Sequence, residues 1–333
     1  LLGLAAAWPL MLTDPDELSL VVSSGIGERT YWVTRAGWVT LVAGLFVTLI
    51  LALTWRRLKR DGSFRLAGKI ITAAAVVAVI AVYFVFGVTG SYGERMFVIL
   101  KDQADFSQIP ADLSWQERRA QVYEVLVTQA NNDQKEIRVA LDRLGIRYTS
   151  YYLINAIEVQ SGPFVRLWLN NRSEVDRIID SPMMRPLPEP LTSIPGTMST
   201  PTDVTWNISL IGADRVWSEF GINGEGVLVG VSDSGIQGNH PEISERYAGN
   251  TTSNSSTWLD PWNNTVTPTD ISGHGTAVTS VILGKHTGVA PGAAWIGCVN
   301  LARNLGNPAY YVDCMQFLLA PFPQGGDPFV DGD

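Results

Sequence analysis

The chain is 333 residues long, 17% of them charged, with a formal net charge of −8 at neutral pH, and that length holds more than one domain. The acidic balance, with no long basic run outside one short hairpin, excludes the electrostatic footprint of a nucleic-acid-binding protein. Two cysteines, Cys298 and Cys314, are the whole thiol complement, and too few ligands lie near them for a zinc site.

In chain order, residues 1–12 are apolar but too short to span a bilayer. They read as the tail of a transmembrane helix cut by an incomplete sequence, with a cleaved signal peptide, whose small-residue cleavage site is not evident, as the alternative. Residues 36–55 carry no charge and are rich in Leu, Val and aromatic side chains, and residues 70–90 repeat the pattern. As helices, both are long enough to cross a hydrocarbon core of about 30 Å. Arg56, Arg57, Lys59 and Arg60 lie between them, so the positive-inside rule makes residues 56–69 a cytoplasmic loop. Everything after Gly90 then falls outside. The expectation is a multi-pass protein of the cell membrane, with the lipid bilayer as a partner.

Beyond Gly90 the composition changes. Residues 95–188 read as β-α-β-β-α-β, a split ferredoxin-like unit. A strand runs over 96–100, and a long helix follows, opened by the capping box Ser114 to Glu117 and closed at Gly145. Residues 147–159 are rich in β-formers, residues 173–179 suit a short helix, and 183–187 a last strand. Residues 189–204, rich in Pro, Ser and Thr, read as a linker.

The segment 205–333 contains two informative strings. Asp233 follows an apolar run over 226–230 that reads as a buried strand, which puts it at the strand's carboxyl end, where open α/β sheets place their sites. His274 stands between Gly273 and Gly275 at the start of a helix-compatible run. An acid that orients a His, and a His that takes a proton, make up two-thirds of a nucleophilic triad. Asp-Ser-Gly is also ordinary turn chemistry. The same triplet serves sites where two carboxylates share a proton, but those need a second triplet or a homodimer, and no second triplet is present. His240 is assigned a structural place in the loop after Asp233, and His286, without a motif, a place on the surface.

Three strings together resemble the subtilisin-like serine proteases (subtilases). They are Asp233-Ser234-Gly235-Ile236 continuing to His240-Pro241-Glu242-Ile243, then Gly273-His274-Gly275-Thr276-Ala277-Val278, then Gly288-Val289-Ala290-Pro291-Gly292-Ala293. The stretch from Trp295 to Pro321 resembles the bacillopeptidase F branch. The order acid then base is itself a mark of the family. This resemblance implies an α/β fold, with residues 205–333 forming the N-terminal part of a parallel-sheet catalytic domain. It implies Asp233 and His274 as catalytic acid and base, protein or peptide substrates, and no cofactor for the chemistry. Structural calcium is common in the family, though no ligands can be placed for it here.

Residues 95–188 resemble the family's inhibitory propeptide, whose tail fills the substrate cleft as an intramolecular inhibitor. A generic spacer is the alternative. The family's nucleophile motif is absent from the chain. Gly196-Thr197-Met198-Ser199 imitates it but lies upstream of Asp233 in the linker, so Ser199 is not assigned the role. The expectation is therefore a membrane-anchored serine endopeptidase acting outside the cytoplasm, inactive as these 333 residues alone. A non-catalytic membrane protein that keeps a subtilase-like domain for binding is the alternative. On the outer side a Cys298–Cys314 disulfide is expected, contributing about 3 kcal/mol, against two separate buried thiols.

Overall fold

Strand β1 (Arg95–Leu100) is apolar at nearly every position and is buried on both faces, which makes it a central strand. A computed structural model describes it together with the rest of residues 94–184, 201–251, 256–302 and 305–333, and the single positions 73, 77, 81, 84 and 85. The two apolar runs, the basic loop, residues 1–12, residues 185–200 and Ser199 with them lie outside the described residues, those single positions excepted. Among the described residues no helix is long and apolar enough to cross a membrane.

Around β1 stand β2 (Arg147–Tyr151), β3 (Ala156–Gln160) and β4 (Val175–Asp180), in the sheet order β2-β3-β1-β4. All pairs are antiparallel, with Val98 opposite both Ile157 and Ile178. Helix α1 (Trp115–Leu144) connects β1 to β2. Ser114 and Glu117 form the reciprocal capping box, and Gly145 closes the helix at φ 64°, a left-handed conformation that favours glycine. Met96, Val98 and Leu100 pack with Ile157 and Val159 against Ile137 and Leu141 of α1.

The second half of this unit corrects the sequence reading. Helix α2 runs over Pro163–Asn170, started by Pro163 at its first turn. Residues 173–179, expected to be helical, instead form most of β4. Glu174, placed for the first turn of a helix, suggested one, but pairing with β1 and the β-branched Val175, Ile178 and Ile179 decide for a strand. Of the last strand expected over 183–187, residues 185–187 lie outside the described residues, and Met184 makes a single antiparallel bridge to Gly306.

Residues 201–333 hold a parallel sheet in the order β5-β7-β6, from β5 (Leu228–Asp233), β6 (Trp258–Leu259) and β7 (Ala294–Val299). Two short helices, α3 (Trp206–Ile211) and α4 (Ala213–Phe220), precede it. Helix α5 (His274–Leu283) lies between β6 and β7, and its Leu283 packs with Val231, Trp258, Trp295 and Val299. The run over 226–230 was expected to be buried, yet Val227 and Leu228 are 53% and 56% exposed, because β5 is an edge strand paired only with β7 among the described residues.

A small hairpin, β8 (Leu301–Ala302) with β9 (Leu305–Gly306), leads into α6 (Pro308–Leu319). Cys298 on β7 and Cys314 on α6 are both buried and joined as a disulfide, their Cα atoms 5.4 Å apart. Helix α6 also covers the second face of the antiparallel sheet, with Ala309 against Phe97 and Tyr151. That explains why β1 and β3 have no open face.

Candidate active site

Asp233 is the last residue of β5 and His274 the first of α5. The chain between them, a sequence separation of 41, returns so that Nδ1 of His274 stands 2.7 Å from Oδ1 of Asp233. The same oxygen accepts the Ser234 backbone N–H at 2.6 Å. The Asp233 side chain is 12% exposed and that of His274 49% exposed. A carboxylate that receives Nδ1–H fixes both the tautomer and the plane of the ring. No hydrogen bond among the described residues reaches Nε2, which is left open to a reacting group.

Two backbones approach closely to make this possible. A Cβ on Gly275 would lie 2.0 Å from the Gly235 carbonyl oxygen and 3.0 Å from the Asp233 Cβ, so only glycine fits there. The turn after Asp233 also bridges the segment before α5 through Gly235 and Asp270.

Asp270, which sequence reasoning passed over, lies at the centre of this junction. Its Oδ1 accepts Ser234 Oγ–H at 3.0 Å and the N–H groups of Ser272 and Gly273 at 3.0 and 2.9 Å. Its Oδ2 accepts the Thr276 N–H at 2.9 Å and the Thr276 hydroxyl at 2.6 Å. Burial alone would raise its pKa, but these donors outweigh it and hold the carboxyl below its ordinary value. The available signal was an Asp shortly before a helix start, a position that favours capping residues. A cleft of about 540 Å³ lined by Gln237, Tyr247, Pro268 and Asp270 borders this junction, and its lining includes neither Asp233 nor His274.

The other histidines separate. His240 holds the loop after Asp233, its carbonyl accepting from Ile243 and Ser244 and its Nδ1 from the Glu242 N–H at 3.3 Å. His286, expected on the surface, is instead only 22% exposed and paired with the buried Glu242 at 3.0 Å. Glu242 also accepts the His286 backbone N–H at 2.8 Å. Burial pushes the Glu242 carboxyl up, but the His286 and Thr287 donors bring it below its ordinary value. Among the described residues no cluster of three or more His, Cys, Asp or Glu side chains could hold a metal ion. No calcium ligands are assigned among the described residues, and no step is assigned to the ion.

The antiparallel unit meets this region across α6 and the β8–β9 hairpin. Met184 and Gly306 exchange backbone hydrogen bonds at 2.9 and 2.8 Å. Asn307, fully buried, donates to the Ser181 carbonyl at 2.7 Å. Gln316, also fully buried, accepts the Tyr152 N–H at 2.7 Å. The hairpin is tied back to the dyad, since Asn300 donates its N–H to the Asp233 carbonyl at 2.9 Å.

Residues 224–318 match the Peptidase_S8 family, the subtilases. The chain is similar to bacillopeptidase F of Bacillus subtilis (strain 168), at 27% identity over 238 residues covering 66% of this chain. It spans only 16% of that relative's length. Among solved structures it is similar to the epidermin leader peptide processing serine protease of Staphylococcus aureus. That similarity has a TM-score of 0.43 at 11% identity, over 67% of this chain and 46% of the other.

Proposed function

We propose, from the match of residues 224–318 to the subtilase family, that this chain carries the acid and base of a serine-type endopeptidase. The observation that carries the reading is the 2.7 Å contact between Asp233 and Nδ1 of His274, with Nε2 unbonded among the described residues and the ring half exposed. With Nδ1–H held by Asp233, the Nε2 lone pair takes the proton of a serine hydroxyl as that oxygen attacks a peptide carbonyl. The resulting imidazolium then returns the proton to the leaving amine. The serine is supplied from outside the described residues, and the substrates are proteins or peptides.

The test uses the protein as its cell makes it, assayed on a peptide substrate. Asp233→Asn leaves the fold intact and lowers turnover by about 10⁴, through the wrong tautomer of His274. His274→Ala lowers it at least as far. Near-normal turnover in either variant overturns the assignment and leaves a binding domain as the better reading.

The second part of the proposal is regulatory. Residues 95–188 act as an inhibitory propeptide whose tail lies as an extended strand along the substrate cleft. Support comes from the β-α-β-β-α-β order before the dyad unit and from the single antiparallel bridge of Met184 to Gly306, since backbone pairing is how extended peptides are held.

The third part is location: residues 36–55 and 70–90 cross the cell membrane, 56–69 face the cytoplasm, and the dyad unit lies outside. The Cys298–Cys314 disulfide suits that oxidising side. Cysteines placed at Ser63 and, separately, at the exposed Ser218 test it in intact cells with an impermeant thiol reagent. Labelling is expected at 218 only, and labelling at 63 only overturns the topology.

A further inference from the structure

We propose that Asp270 is the positioning residue of the dyad: its carboxylate joins the Asp233 turn to the first turn of α5 and so sets the aim of His274. The proposal rests on the peptidase reading above. The two loops are linked by crossed hydrogen bonds. Ser234 Oγ donates to Asp270 at 3.0 Å and accepts the Gly275 N–H at 3.0 Å. Thr276 Oγ1 donates to Asp270 at 2.6 Å and accepts the Gln237 N–H at 2.9 Å. Each hydroxyl therefore links the two loops, and both hydroxyls converge on one carboxylate.

Every group facing Asp270 in these contacts is a donor, so an acceptor-only side chain is required. Asn at this position would turn an NH₂ group toward either the Ser234 side or the Thr276 side, and one link would be lost. The depressed pKa of Asp270 keeps it ionised near neutral pH, where a His base works. It also places a negative charge at the start of α5, where the helix dipole favours one. None of its hydrogen bonds goes to the His274 ring. Its effect on the reaction therefore passes through geometry, and a misplaced base costs turnover rather than binding.

Proton NMR of the 333-residue chain reads the geometry directly. The downfield resonance of the Nδ1 proton between His274 and Asp233 is assigned by its loss in His274→Ala. In Asp270→Asn that resonance is expected to move upfield or vanish while the chain melts as a folded protein. Ser234→Ala is expected to weaken it, and Ser234→Thr, which keeps the hydroxyl, to recover it. In the protein as its cell makes it, Asp270→Asn lowers kcat about 10²-fold at unchanged KM.

A resonance unmoved in both Asp270→Asn and Ser234→Ala overturns the proposal, as does a loss of kcat with the resonance unmoved. If Asp270→Asn does not fold, the Ser234 pair decides, and equal signals in Ala and Thr overturn it. If the unaltered protein cleaves no peptide while the resonance responds as expected, the peptidase reading fails and the positioning role of Asp270 stands.

Discussion

At the scale of single residues, hydrogen-bond donors outweigh burial. Asp270 and Glu242 both lie in partly or fully buried places that by themselves would raise a carboxyl's pKa, yet both are held below their ordinary values by converging donors. For Glu242 the consequence is measurable. A carboxyl whose pKa is depressed by folding stabilises the fold above its ordinary value, about 4.5, and loses that contribution as pH falls through the lower folded value. Glu242→Ala leaves the His286 and Thr287 donors unmatched and is expected to cost about 1–3 kcal/mol. Urea melts at pH 7 and pH 3 check both points: the variant melts earlier at pH 7, and the gap narrows in acid. Equal midpoints at pH 7 would show that the pair contributes nothing.

Among elements, the parallel strand β7 and helix α6 share the greatest responsibility. β7 pairs with both β5 and β6, and α6 covers Tyr151 and Phe97 of the other unit through Ala309. The Cys298–Cys314 bond joins these two elements across a sequence separation of 16. By constraining the unfolded chain, a loop of that size contributes about 3 kcal/mol. Cys314→Ala is expected to lose about that much, as is reduction of the unaltered chain. A variant with an unchanged melting midpoint under oxidising conditions would show that the bridge adds no stability.

For the molecule as a whole, the notable feature is an acid within the contact between the two units. Asp313 on α6 faces Tyr151 of β2, Glu158 of β3 and Arg95 of β1, with Tyr310 on its own helix beside it. Its pKa is pushed up to about 7, first by burial and then by the charge of Glu158, against the Tyr151 hydrogen bond and Arg95. Asp313 keeps some open surface as a residue, but its carboxyl group sits among these side chains.

An acid raised in the assembled state is protonated there while the separated state has already ionised. Assembly is therefore strongest below about pH 4 and weakens by up to tenfold per pH unit until about 7. Asp313→Asn cannot ionise and is expected to flatten that dependence. Thermal melts of both chains between pH 5 and 7.5 provide the check, and parallel slopes would remove Asp313 from the interface energetics. If residues 95–188 are an inhibitory propeptide, this dependence makes its release easier as pH rises.

What could be read in advance follows from the range over which each interaction acts. The capping box at Ser114 and the left-handed Gly145 are made by groups a few residues apart, so the sequence by itself determined them. The strand end at Asp233 and the helix start at His274 also follow from short patterns. Their meeting at 2.7 Å depends on α5 packing against β5 and on the close approach of Gly235 and Gly275, and the family motifs anticipated it where periodicity could not. The tertiary structure alone decided that residues 175–180 are a strand, because β1 offers them an edge. It also decided that His286 turns inward to Glu242, that Asp270 collects donors from two loops, and that Asn307 and Gln316 become fully buried across the contact between units. Each of these joins groups that are distant in the chain. A buried polar group keeps its place only where its partners arrive together, and packing of the whole chain brings them there.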